Sequence, residues 1–310
     1  MLFDNIIDVF QLYPLAWYGC AFLISLLIGS FLNVVIYRLP IMLERDWKAE
    51  CEILLTEPLN SQKQDALAVQ NLDESALNHQ TSFNLVKPNS TCPHCQTAIK
   101  PWHNIPIFSW LALAGKCHSC KAPISIRYPL VELFTGLVGA YAAYHFGVSS
   151  LALWAMLFSF ILICLCFIDL DTMLLPDQLT LSLIWLGLLA NINGQFVDLK
   201  DAVIGAVAGY LVLWVVFQSF KLLTNKEGMG FGDFKLLAAL GAWMGWQALP
   251  IVILLSSVVG AIIGISLIKF QNKDSQTAIP FGPYLAIAGF VAFYWRTEIT
   301  QYYLQNWVYS

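Results

Sequence analysis

The sequence predicts an all-α polytopic membrane protein with about eight transmembrane helices and a cytosolic zinc-binding insertion between the first two. Three observations carry this expectation: an apolar composition, apolar runs of spanning length, and two paired-cysteine knuckles inside one long polar segment. Of 310 residues, 58% are hydrophobic and 12% charged, against about 45–50% and about 25% in ordinary soluble domains. That balance argues against a water-soluble fold. The net charge of −4 supplies no basic field, so nucleic acid is not an expected partner and the lipid bilayer is.

Spanning takes roughly 20 apolar residues, because a helix rises about 1.5 Å per residue through about 30 Å of hydrocarbon. Stretches near 15–37, 128–147, 149–168, 179–193, 201–223, 233–247, 249–268 and 282–304 come close, the fourth and sixth being short. The first is read as a retained helix rather than a secretory signal, because no Lys or Arg precedes Arg38 and its apolar run is long. Within it, Gly29, Ser30 and Asn33 suit close helix packing or a polar contact inside a bundle.

Eight spans with an external N-terminus place 38–127, 169–178, 221–232 and 269–281 on the cytosolic side. Nine Lys or Arg lie in 38–127, with Lys221, Lys226, Lys269 and Lys273 in later internal loops, Lys235 just inside the next helix, and only Lys200 and Arg296 outside. The chain thus divides into a first transmembrane helix at 1–37, a cytosolic module at 38–127 and a membrane domain at 128–310. In the module, 41–55 has the pattern of an amphipathic helix, while 56–90 is rich in Asn, Gln, Asp and Ser and reads as irregular or weakly helical. No internal repeat stands out.

Cys92-Pro-His-Cys95 and Cys117-His-Ser-Cys120 are separated by 21 residues. Four thiolates on two tight turns can surround Zn²⁺ tetrahedrally, and a site with four protein ligands is structural rather than catalytic. A pair of disulfides is the competing reading, disfavoured in a reducing cytosol. His94, His103 and His118 are read as surface residues or neighbours of the ligands. Cys20, Cys51, Cys164 and Cys166 lack ligand spacing and are taken as small apolar residues.

Acidic residues at membrane depth are costly, so their positions are informative. In FIDLDTMLLPDQLT, Asp169 directly follows an apolar run, with Asp171 and Asp177 in the connection; in GMGFGDFKLLAALG, Asp233 begins a helix after Gly230 and Gly232. Two carboxylates brought together can hydrolyse a peptide, one taking a proton from water while the other polarises the carbonyl. Repulsion between like charges separates their apparent pKa values and supplies acid and base at one pH. Gly230 and Gly232 would let the backbone turn tightly and approach a substrate. Singly, each acid has an ordinary reading: Asp233 or Asp177 as a helix cap, Asp169 or Asp171 as a solvated loop acid.

Taken together, GSFLNVVIYRLP at 29–40, CPHC, IPIFSWLALAGKC, RYPLVELFTG at 127–136, FIDLDTMLLPDQLT at 167–180 and GFGDFKLLAALGAW at 230–243 resemble the type IV prepilin leader peptidases. These belong to the G-x-G-D aspartic protease group that also contains presenilins and archaeal preflagellin peptidases. The resemblance implies that Asp233 is the aspartate of the signature and Asp169 its partner. Asp171 is disfavoured, because positions two apart differ by about 200° on a helix. It also implies cleavage of basic leaders from prepilins and pseudopilins at the bacterial inner membrane. Methylation of the new α-amine by S-adenosylmethionine follows, with the cytosolic module linked to that second activity. Gly115 is a candidate tight-turn residue there, and no residue is assigned to the methyl donor. Two alternatives remain: a peptidase whose zinc module is only structural, and a proton-coupled transporter using buried acids as a relay.

Overall fold

The computed structural model describes residues 2–60, 83–100, 102, 105–226, 228–271 and 279–303. Among them the chain is helical, with two isolated β-bridges and no strand. The helices are α1 (Leu2–Leu12), α2 (Pro14–Asn60), α3 (Phe108–Ala112), α4 (Arg127–Phe146), α5 (Ser150–Thr172), α6 (Asp177–Ala190), α7 (Leu199–Thr224), α8 (Phe231–Met244), α9 (Leu249–Gln271) and α10 (Gly282–Tyr303). Four of the described stretches are long and apolar enough to cross a membrane: Pro14–Leu55, Ser150–Thr172, Leu199–Thr224 and Trp246–Ser266.

Every expected apolar run lies in a helix, but several boundaries differ from the sequence expectation. The first run and the amphipathic segment at 41–55 form one continuous helix, α2, of 47 residues. The sequence reading ends the first run before Arg38, and Pro40 then removes a backbone donor inside the continuous helix. Burial of Leu39, Pro40 and Leu43 offsets that lost bond. Helix α1 was not anticipated. Of the segment expected to be irregular, 56–60 continues α2, 83–90 is bent chain, and 61–82 lies outside the described residues, as do His103 and Lys273.

The chain forms two compact units, Met1–Leu23 with Thr135–Ser310, and Ile24–Phe134. In the first, α8 is the central helix. Its 14 residues rise only about 21 Å, short of a full span, and from Asp233 to Met244 all but Lys235 are buried. A helix that is apolar all round belongs in a core. Helices α5, α6, α7 and α10 pack around it, with Phe158, Leu165, Leu183, Leu237, Trp243 and Leu285 in one cluster.

Two polar contacts hold the end of α8 remote from Asp233. The indole of Trp243 donates to the Leu183 carbonyl at 2.8 Å. Buried Asn191 donates to the carbonyls of Ala242 (2.9 Å) and Trp243 (3.2 Å) and accepts from the amides of Phe196 and Val197. Those carbonyls would otherwise be orphaned at a helix end. Along its side, α8 meets α7 backbone to backbone, for a Cβ on Gly205 or Gly241 would run into the other's carbonyl. Small residues permit such approach where lipid gives no hydrophobic drive between helices.

Candidate active site and metal centre

Helix α5 delivers Asp169 at its last turn and ends at Met173, whose positive φ of 54° turns its amide back to the Asp169 carbonyl. Asp169 is 5% exposed. Its Oδ2 is buried and has no hydrogen-bond partner, and Gly282 at the start of α10 packs closely against it. Asp171, two residues on in the same helix, is exposed, as the angular argument requires.

Asp233 sits in the first turn of α8 and is 7% exposed. The cap position of α8 is taken by Gly230, three residues earlier. Asp233 is therefore not the helix cap that its ordinary reading made it, and it lies within electrostatic reach of Asp169. The unit thus buries two interacting carboxylates between the ends of two apolar helices.

The neighbours refine the expectations. Gly230 has ordinary extended backbone (φ −80°, ψ 150°), so no tight turn demands a glycine there. Asp177 is not the cap of α6, a position taken by Pro176. Its Oδ1 instead accepts from Lys235 Nζ at 2.6 Å, tying the start of α6 to the first turn of α8. Gly282 was missed, because nothing in its local sequence announces a contact with a residue over a hundred positions earlier.

In the other unit the four cysteines converge. The Sγ atoms of Cys92, Cys95, Cys117 and Cys120 all lie within 4.8 Å of one another, with Cys92 and Cys120 at 3.8 Å. A tetrahedron with zinc–sulfur bonds of about 2.3 Å has sulfurs about 3.8 Å apart, so the donor set fits the ion. All eight cysteines are free thiols. The Thr97 hydroxyl, and after it the Thr97 backbone, pull the Cys95 thiol down to about 6. The Cys120 and Ser119 backbone lowers that of Cys117. The Cys120 thiol moves the other way: despite the Ala122 backbone, desolvation and its three neighbouring cysteines push it up to about 11, so the four thiols are not alike in readiness to become the thiolate that binds metal.

The two knuckles are one motif used twice at an offset of 25 residues, a repeat the sequence reading did not find. In each, the first cysteine's carbonyl accepts from the residue after the second (Gln96 at 2.9 Å, Lys121 at 3.0 Å), and that residue has positive φ. Bridges pair Thr91 with Ala98 and Lys116 with Pro123, closed by Ile99 to Ser90 and Ile124 to Gly115. Gly115 does take a turn conformation, with φ +68°. His94 and His118 are exposed.

Two buried charged groups in this unit also escaped the sequence reading. Glu132 of α4 accepts from the Ile107 amide at 2.8 Å and from the Ser30 hydroxyl of α2. Ile107 holds φ +58° and ψ −50°, a strained conformation for a β-branched residue. Arg38 donates to the carbonyls of Asn84 (2.9 Å) and Pro88 (2.6 Å). Asn33 donates to the Tyr128 carbonyl at 3.1 Å, the intrabundle contact expected of it.

The profile described as "Bacterial Peptidase A24 N-terminal domain" matches residues 23–146, and that of the "Type IV leader peptidase family" matches 156–265. A protein of Aeromonas hydrophila named prepilin leader peptidase/N-methyltransferase is 55% identical over 295 residues, covering 95% of this chain and 96% of its own. One of the same name from Pseudomonas aeruginosa is 54% identical over 97% and 98% of the two chains, and one from Legionella pneumophila 46% identical over 96% and 97%. No solved structure matches. At such identity over nearly the whole length of both chains, this protein belongs to the type IV leader peptidase family.

Proposed function

We propose that the chain is a bifunctional membrane enzyme that cleaves the leader from type IV prepilins and pseudopilins and then N-methylates the new terminal residue with S-adenosylmethionine. The observation that carries the first activity is the burial of Asp169 and Asp233 within electrostatic reach of one another. The second rests on the full-length likeness to relatives named for both activities.

In the cleavage step, one carboxylate removes a proton from water as the water oxygen attacks the scissile carbonyl carbon. The other, protonated, donates to the carbonyl oxygen; the first then delivers the proton it took from water to the departing nitrogen, and the second recovers its proton from the gem-diol as the carbonyl re-forms. The C–N bond breaks, leaving a new carboxylate on the leader and a free amine on the pilin. A basic leader held in the cytosol, with the apolar pilin helix in the bilayer, brings the junction to the helix ends that carry the two acids. This arrangement uses eight spans, a periplasmic N-terminus and the inner membrane as setting.

Cys92, Cys95, Cys117 and Cys120 hold one structural Zn²⁺, which ties the 38–127 module together. The membrane domain of 128–310 carries the peptidase, and the zinc-bearing module together with the adjoining first helix serves methyl transfer. The amine lone pair displaces the thioether from the sulfonium methyl, then loses its proton to solvent. With a reference pKa of about 7.7–8.0, the amine has a neutral fraction near pH 7.5, so proximity does much of the work.

The test is mass spectrometry of a prepilin N-terminus after incubation with purified protein, with and without S-adenosylmethionine. Leader loss in both samples and one added methyl group in the second are expected. An intact prepilin would overturn the peptidase reading, and cleavage without methylation would reduce the protein to a peptidase.

A further inference from the structure

Helix α10 begins against the Asp169 carboxylate, and the residue at the contact has no side chain. A Cβ built on Gly282 would stand 2.6 Å from Asp169 Oδ2, 3.1 Å from its carboxyl carbon and 3.0 Å from Leu175 Cδ1. Leu175 Cδ1 is a terminal methyl that can turn aside. Asp169, 5% exposed, has little room to do so. Pro280 and Pro283 flank the glycine and restrict the backbone on both sides of it. Gly282 also lies beyond the residues that the leader-peptidase profile matches.

We infer that Gly282 is a positioning residue for peptide cleavage: its missing side chain keeps the volume beside Oδ2 clear of a Cβ that would displace the Asp169 carboxylate. Oδ2 is the buried oxygen without a protein partner, and a buried acceptor left unpaired is costly unless water or substrate fills it. Even a methyl group at position 282 would occupy that volume or rotate the carboxylate away. The inference rests on Asp169 being one of the two acids of the reaction.

The experiment compares purified Gly282→Ala, Gly282→Ala with Leu175→Ala, Gly264→Ala and Asp169→Asn for prepilin cleavage and for methylation of pre-cleaved pilin. Displacing a reacting group by about 1 Å can cost on the order of a hundredfold. Gly282→Ala should lose about that much kcat with KM nearly unchanged, and should still methylate pre-cleaved pilin. Trimming Leu175 should not restore cleavage, because the collision with the carboxylate remains. Gly264→Ala, whose Cβ would meet only Ile279 at 3.6 Å, should cleave normally.

Wild-type cleavage by Gly282→Ala, or its recovery on trimming Leu175, would overturn the inference while leaving an inactive Asp169→Asn as support for the acid itself. Full cleavage by Asp169→Asn would instead remove the reading on which the inference stands. Thermal unfolding covers the case of a poorly folded variant. Gly282→Ala should lower the melting temperature less in an Asp169→Ala background than in wild type, and equal losses in both would locate the clash elsewhere and defeat the proposal.

Discussion

In the unit of Met1–Leu23 and Thr135–Ser310, Asp169 and Asp233 hang from the ends of apolar helices packed along their length around a buried α8. In the unit of Ile24–Phe134, four thiols sit on two ten-residue turns whose local bonds close each knuckle by itself. The first site takes its geometry from close-packed side chains and from backbones touching at Gly205 and Gly241. The second has little core of its own, and small modules of that kind are commonly stapled by a metal. The two regions should therefore fail under different insults, acid removal and helix overpacking for one, metal loss for the other.

The largest expected effect is on cleavage. Asp169→Asn and Asp233→Asn remove an acid or base of similar size, and such groups contribute about 10²–10⁴-fold. Each variant should lose on the order of a thousandfold in leader cleavage by gel or mass assay, while Asp171→Asn should stay near wild type. The same variants should give no methylated product from intact prepilin, because the nitrogen is still an amide whose lone pair is delocalised, yet should methylate a pre-cleaved pilin. Methylation lost on pre-cleaved pilin as well would mean that the two units do not fail separately.

Next in size is metal removal. Metal analysis of reduced protein should find about one zinc per chain, and a Cys→Ser change at 92, 95, 117 or 120 should lower that content. Chelation should take methylation to background while cleavage continues, with zinc restoring it. Loss of cleavage in step with zinc would erase the contrast between the regions.

Signals confined to a few adjacent residues were legible in the sequence. C-x-x-C spacing announces a metal, and an acid at the end of an apolar run announces itself by its cost. Partners set by distant chain did not show. Gly282 against Asp169, Glu132 against Ile107 and Arg38 against Asn84 all join segments well separated in sequence. The 25-residue repeat was hidden because its recurrence lies in backbone bonds, and few side chains beyond the cysteines and Ile99/Ile124 recur. Helix α2 was split because the apolar run stops at Arg38 and the pattern turns amphipathic after it, although one helix carries both segments.

A middle-sized effect tests the packing of the first region. Adding a methyl group to a close-packed contact costs about 1–3 kcal/mol, so Gly241→Ala should lower the melting temperature in detergent. Zinc content should not change. A neutral result would show that α7 and α8 can separate without cost, contrary to a rigid bundle.

The smallest effect concerns Lys235, next but one to Asp233 and paired with Asp177 at 2.6 Å. The two side chains are 25% and 55% exposed, so the pair is partly solvated, and such bridges contribute about 0–1 kcal/mol. Asp177 keeps a second favourable interaction whatever Lys235 does, because a negative charge in the first turn of α6 complements the helix dipole. Lys235→Met should therefore reduce stability and cleavage modestly, by less than about tenfold in kcat, as expected of a tie between α6 and α8 rather than of a group in the reaction. Adding Asp177→Asn to Lys235→Met should cost less than it does in wild type, because the bridge is already gone. A Lys235→Met enzyme as inactive as Asp233→Asn would instead place the ammonium in the chemistry. Lys235→Arg would then distinguish a general positive charge from a specific geometry, since arginine keeps the charge but presents a planar fork of different reach.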